Sequence, residues 1–133
     1  MLLDGVNHIA IISNDVGELG EFHRKVFDAQ VGPPRNHGPG ETMMNIRIAP
    51  GAELNVFVID GNTEARRQTP RWGRGRIDHL GLAAASRPAF KTIRNRLIES
   101  GAGDGRINGF GSVPSMFYRD PDGFEGELPI PKE

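Results

Sequence analysis

Two histidines, an asparagine and a glutamate stand at matched places in this chain, and together they could bind a metal ion. His8 is the third residue of Val6-Asn7-His8-Ile9-Ala10-Ile11. His79 is the third residue of Ile77-Asp78-His79-Leu80-Gly81-Leu82, 71 positions later. Asn55 and Glu127, 72 positions apart, each lie in the last apolar-alternating run of their half. Two imidazoles, a carboxylate and an amide oxygen make a donor set for one divalent ion, with positions left for water or substrate. Nitrogen mixed with oxygen suits Zn, Fe, Mn, Co or Ni better than Ca or Mg. A lone histidine in an apolar strand is more often a hydrogen-bonded core residue than a ligand. Two at equivalent places, each matched by a second polar residue, reverse that balance.

The equivalence rests on an internal repeat. Arg47 to Asn55 lies over Arg119 to Glu127 at an offset of 72, superposing Arg on Arg, Gly51 on Gly123, Glu53 on Glu125 and Met44 on Met116. One inserted residue reconciles this with the offset of 71 between the histidines. The chain therefore reads as two copies of one module in a single domain over 1–133: module one 1–62, linker 63–76, module two 77–133.

Each copy must position its pair through the same elements. Val6 to Ser13 alternates as a strand, with His8, Ala10 and Ile12 on one side and Ile9 and Ile11 on the other. Asn14-Asp15 signals a helix start. Val16, Leu19, Phe22, Val26 and Phe27 then recur at helical spacing, which predicts a helix to Asp28 with His23 exposed. Gln30 to Gly40 reads as an irregular strand or loop carrying a surface His37. Thr42 to Ala49 and Glu53 to Asp60 form a hairpin about Pro50-Gly51. Its Met44, Ile46, Leu54 and Val56 face the helix, while Asn45, Arg47, Glu53 and Asn55 share the open face with His8. The second copy predicts a strand over Ile77 to Ala85 and a helix from Ser86 to Gly101 burying Phe90, Ile93, Leu97 and Ile98. A mobile Gly-rich stretch over Gly103 to Val113 follows, then strands Ser115 to Arg119 and Phe124 to Ile130. The class is α+β, with each module running strand, helix, then three strands.

Other polar groups have plainer readings. Arg47 with Glu53, and Arg119 with Glu125, each flank a hairpin turn, where a structural ion pair is favoured. Glu125, and Glu53 in the first module, are nonetheless the candidate proton carriers, since a carboxylate in a water-poor cleft can be raised in pKa. The linker holds Arg66, Arg67, Arg71, Arg74 and Arg76 about Trp72, a solvated connection or a basic rim for an anionic substrate. A formal charge of −1 lacks the basic excess of a nucleic-acid-binding protein, and with no cysteine there is neither a disulfide framework nor a thiolate site. The N-terminus lacks a basic region followed by a long apolar core, and no run reaches membrane-spanning length. A cytoplasmic protein with a small-molecule substrate, and with neither nucleic acid nor membrane as partner, is expected.

The paired modules, and the ending Arg119-Asp120-Pro121-Asp122-Gly123-Phe124-Glu125-Gly126-Glu127-Leu128 above all, resemble the vicinal oxygen chelate superfamily of glyoxalases, fosfomycin- and bleomycin-resistance proteins, epimerases and extradiol dioxygenases. The resemblance covers nearly the whole chain. It implies two βαβββ modules making a cupped, barrel-like mixed sheet with helices outside, a homodimer, and a divalent metal chelated by substrate oxygens. Residue by residue, its metal ligands fall on His8, Asn55, His79 and Glu127. Asn55 departs from the Glu, Gln or His usual at that place. A lyase or isomerase of the glyoxalase/epimerase type is the leading expectation. An Fe(II) extradiol-type dioxygenase using His8, His79 and Glu127 is the alternative enzyme, and a metal-free ligand-sequestering protein is the non-enzymatic one.

Overall fold

The computed structural model of the chain describes residues 1–2, 4–62, 74–110 and 113–132. It divides into two compact units, Met1–Gln68 and Thr69–Glu133. Arg66, Arg67, Arg71 and Trp72 of the linker lie outside the described residues.

In the first unit, β1 (His8–Ile12) leads into α1 (Val16–Phe27), β2 (Gln30–Val31), β3 (Arg35–Gly38), β4 (Glu41–Ala49) and β5 (Ala52–Ile59). Asp15 caps α1 by accepting from the Glu18 amide, and Asp28 closes it in the left-handed region at φ 55°. The sheet order is β1-β5-β4-β2, with β3 also on β4, and β1 runs parallel to β5 while the rest is antiparallel. The stretch Gln30 to Gly40 thus holds two short strands, which is the irregular-strand reading of the two offered for it. Helix α1 packs on β4 and β5, and Leu19, Val26, Met44, Ile46, Leu54 and Val56 are buried between them. Alternation in β1, β4 and β5 turns the opposite face outward, as the period of two requires.

His23 corrects the reading of α1, since it is buried rather than exposed. It stands four residues after Leu19 and three before Val26, so it belongs to the same stripe. Its Nδ1 donates to the Leu19 carbonyl at 2.9 Å, which meets the ring's polar need inside the core. Phe22 is half-buried beside it with the rings edge-on.

In the second unit, β6 (Leu80–Gly81) precedes α2 (Arg87–Glu99), β7 (Asn108–Phe110), β8 (Val113–Arg119) and β9 (Glu125–Pro129), in the order β6-β9-β8-β7. Ser86 caps α2 by accepting from Ala89, Pro88 lies in its first turn, and Gly101 ends it at φ 73°. Phe90, Leu97, Met116, Tyr118 and Leu128 are buried, whereas Ile98 is largely exposed, contrary to expectation. Two further expectations need correction. The strand foreseen over Ile77 to Ala85 is reduced to Leu80–Gly81, which lies at the edge of its sheet and pairs with β9. Within the stretch expected to be mobile, Asn108–Phe110 pairs with β8 as β7.

The repeat is visible in the strand register. Ala10 pairs with Asn55 in the first sheet, and Gly81 pairs with Glu127 in the second. Arg47 opposes Glu53 as Arg119 opposes Glu125, and Met44 opposes Val56 as Met116 opposes Leu128. The class is α+β, and among the described residues each unit holds one mixed sheet and one helix. Among the described residues no helix is long and apolar enough to cross a membrane.

Two tests follow from this packing. Gly126 has the ring of Tyr118 lying where a Cβ would go, so Gly126→Ala should destabilise by about 1–3 kcal/mol in urea unfolding. Burial holds the His23 pKa below its ordinary value, the Leu19 carbonyl opposing this only in part. The unfolded chain therefore binds the extra proton first as pH falls. Stability should be fully present above the ordinary histidine range and fall below it, by at most about 1.4 kcal/mol per pH unit. His23→Gln should flatten that slope in denaturation measured from pH 7.5 to 5.

Candidate metal centre

The second unit brings together what the sequence separates by 48 residues. His79 precedes β6 directly and Glu127 lies on β9, and the parallel register places them side by side: His79 Nε2 is 2.9 Å from Glu127 Oε2. Two cis ligands of an octahedral ion, each about 2.1 Å from it, are themselves about 3 Å apart, so this pair already has a chelating separation. Ser115, buried on β8, donates to the other carboxylate oxygen, Oε1, at 2.6 Å. The edge of Phe117 closes on the imidazole, ring centroids 5.7 Å apart.

His79 is held from its other side as well. Nδ1 lies 2.9 Å from Asp78 Oδ2, and Arg76 reaches the Ile77 and Asp78 carbonyls. Asp78, more than the partly opposing burial and then Glu127, raises the His79 pKa. The ring is thus pinned between two carboxylates, and a cation at Nε2 would replace the proton shared with Glu127. Asp78, His79 and Glu125 also have ligand atoms all within 4.8 Å of one another, the one such group among the described residues. Asp78 and Glu127 bond opposite nitrogens of one ring, so a single ion on His79 cannot take both. Both nitrogens are hydrogen-bonded, and the Nε2 side is favoured because Glu127 is the less exposed carboxylate and is itself held by Ser115. Glu125 itself is paired with Arg119 at 3.0 Å, and Arg119 also donates to the Gly123 carbonyl. The turn before it is fixed by Asp120, whose Oδ1 accepts from the Asp122 and Phe124 amides. Burial raises the Asp120 pKa despite those bonds.

The first unit repeats part of this. His8 is exposed on the open face, and its Nδ1 lies 2.8 Å from Asn7 Oδ1. An amide oxygen only accepts, so Nδ1 is the donor in this bond and Nε2 is the ring nitrogen left for another partner. Glu53, opposite His8 in register, pairs with Arg47 at 3.6 Å, the counterpart of Arg119–Glu125. Asn55 lies beside Ala10 and is bonded through its Oδ1 to Asn45 Nδ2 at 2.5 Å. His37 is exposed on β3 with its ring against Phe57.

No protein-family model and no curated protein matches the sequence. Solved structures do. A glyoxylase/bleomycin resistance protein/dioxygenase domain from Frankia sp. EAN1pec matches with a TM-score of 0.81 at 18% identity, over 98% of this chain and 99% of that one. The chain has the vicinal oxygen chelate fold. A glyoxalase family protein from Enterococcus faecalis matches at 0.73 and 22%, over 97% and 99% of the two chains. The fosfomycin resistance protein FosX from Listeria monocytogenes, complexed with Mn(II) and sulfate, matches at 0.67 and 16%, over 98% and 95%. At such identities the vicinal oxygen chelate likeness is one of fold.

Asn7, Asp78 and Ser115 were not among the residues singled out from sequence. The signal for the first two is that each expected histidine is preceded by a residue with a side-chain oxygen, again 71 positions apart. Partners of this kind fix a ligand's tautomer and aim. Asp78→Ala and Asn7→Ala should each weaken binding of Zn(II) or Mn(II) by about 10–100-fold in calorimetric titration, and Asp78→Asn should recover part of the loss.

Proposed function

We propose that the chain is a divalent-metal-dependent enzyme of the glyoxalase/epimerase type, a lyase or isomerase acting on a small substrate through adjacent oxygens. His79 and Glu127 bind the ion, His8 supplies a further ligand, and Asn55 stands where a fourth is expected. The observation that carries this reading is the 2.9 Å approach of His79 Nε2 to Glu127 Oε2, with both groups braced from behind by Asp78 and Ser115. The Mn(II) in a protein of the same fold supports a divalent ion.

When bound, the ion supplies Lewis-acid polarisation of the substrate oxygens and so acidifies the neighbouring carbon–hydrogen bond. The chain's own residues do the rest. Glu125 lies close to His79 and is aimed by Arg119, and it serves as the carboxylate that takes and returns the proton; Glu53 is the matching candidate in the first unit. Phe117 shields one side of the His79 ring from water.

About one transition metal per chain is expected by elemental analysis, removed by dialysis against a chelator. His79→Ala should abolish it, and stoichiometric metal in that variant would sink the assignment. Glu125→Gln should keep the metal and lower turnover about 10²–10⁴-fold. A second reading is ring-opening dioxygenation with Fe(II) at His8, His79 and Glu127. It is favoured by the engagement of Asn55 Oδ1 with Asn45, which leaves three ligands. Oxygen consumption with catechols distinguishes the two, and iron-loaded protein inert to catechols removes the second.

A further inference from the structure

The open face of the first sheet carries a hydrogen-bonded row of side chains of which this chemistry names only the last, Asn55. Arg35 on β3, Asn45 on β4 and Asn55 on β5 stand on successive strands. Arg35 Nη2 donates to Asn45 Oδ1 at 2.6 Å, and Asn45 Nδ2 donates to Asn55 Oδ1 at 2.5 Å. The sense of this chain is dictated by its first member. A guanidinium has only donors, so the Asn45 atom meeting it has to be the carbonyl oxygen. The opposite corner of Asn45 is then an NH2 group, and the Asn55 atom meeting that has to be an oxygen. Asn55 is left with its Nδ2 hydrogens unused, and among the described residues they have no acceptor.

Three features make that terminal amide a binding group. A cation at the head of a hydrogen-bond chain polarises each amide in turn and strengthens the last N–H as a donor. Arg35 is itself steadied by a second contact, Nη2 to Met43 Sδ at 3.2 Å. Ala10, the register partner of Asn55 on the edge strand β1, is too short to fill the space beside it. The row has no copy in the second sheet, where the place of Asn45 is held by Phe117, opposite Glu127.

We propose that Asn55 is a substrate-binding donor rather than a metal ligand, offering Nδ2–H to an oxyanion of an anionic substrate, and that Arg35, acting through Asn45, is the positioning residue that fixes its sense. The inference rests on the metal-enzyme reading for there being a substrate to hold, and on the amide chain alone for its chemistry. Ligation through Oδ1 would have to share an oxygen that Asn45 already occupies. A carboxylate or a phosphonate fits the free NH2 group, and a cationic group does not.

The test is the Asn55 side-chain amide signal in the ¹⁵N–¹H spectrum of the full chain, identified by its loss in Asn55→Asp. The protein, metal-free and then Zn(II)-loaded, is titrated with sodium acetate and with sodium methylphosphonate. At least one anion should move the signal in both states, and Zn(II) alone should barely move it. Asn45→Asp keeps the shape but presents an oxygen to Asn55 and turns its amide round. Anion affinity should then fall about tenfold, with Zn(II) affinity no weaker. Silence of the signal towards both anions, an unchanged anion affinity in Asn45→Asp, or a tenfold weaker Zn(II) affinity in Asn55→Ala would each overturn the proposal. An anion response in a wild-type chain that binds no Zn(II) would defeat the metal reading and leave this one standing.

Discussion

The parallel pairing of the first strand of each unit with its last is the constraint on which the rest depends. Because residues two apart in a strand face the same way, one register fixes a whole column of neighbours. With Gly81 opposite Glu127, the histidine two positions before Gly81 is delivered to the carboxylate. With Ala10 opposite Asn55, His8 is placed opposite Glu53 on the same open face. A slip of one residue would turn these groups into the helix-packed side. The buried methionines opposite Val56 and Leu128 forbid the slip, since it would bring polar side chains under the helices.

Much of this was legible in the sequence because the chain states it twice. A polar residue in an apolar strand is ambiguous once, but the offsets of 71 and 72 carry their own control. They place the hairpins, the Arg–Glu pairs and the open faces where the structure has them. The pairing of His79 with Glu127 follows from the same comparison.

What was not legible depends on partners that no period announces. His23 falls on the buried stripe of α1, yet a histidine there reads as surface until its carbonyl partner one turn earlier is seen. The reduction of the strand over Ile77 to Ala85 to Leu80–Gly81 is likewise announced by nothing in its alternation. Asn7 and Asp78 are not legible as partners, because neighbours in an extended chain ordinarily point to opposite faces, whereas each of these turns back to the Nδ1 of the histidine after it. The row of Arg35, Asn45 and Asn55 crosses three strands and has no counterpart in the repeat, so self-comparison passes over it.

Ser115 gives Glu127 a property of its own. A carboxylate ligand ordinarily rocks between one-oxygen and two-oxygen binding, and the coordination number of its ion changes with it. Here the two oxygens have been made inequivalent: Oε1 is tethered by a buried hydroxyl, and only Oε2 faces His79. The Ser115 hydroxyl takes one lone pair of Oε1 and fixes the carboxylate's rotation, which favours Oε2 as the oxygen left for another partner. Were Glu127 to hold the proposed ion, it would do so most readily through Oε2 alone, and the place it forgoes would be open to a substrate atom.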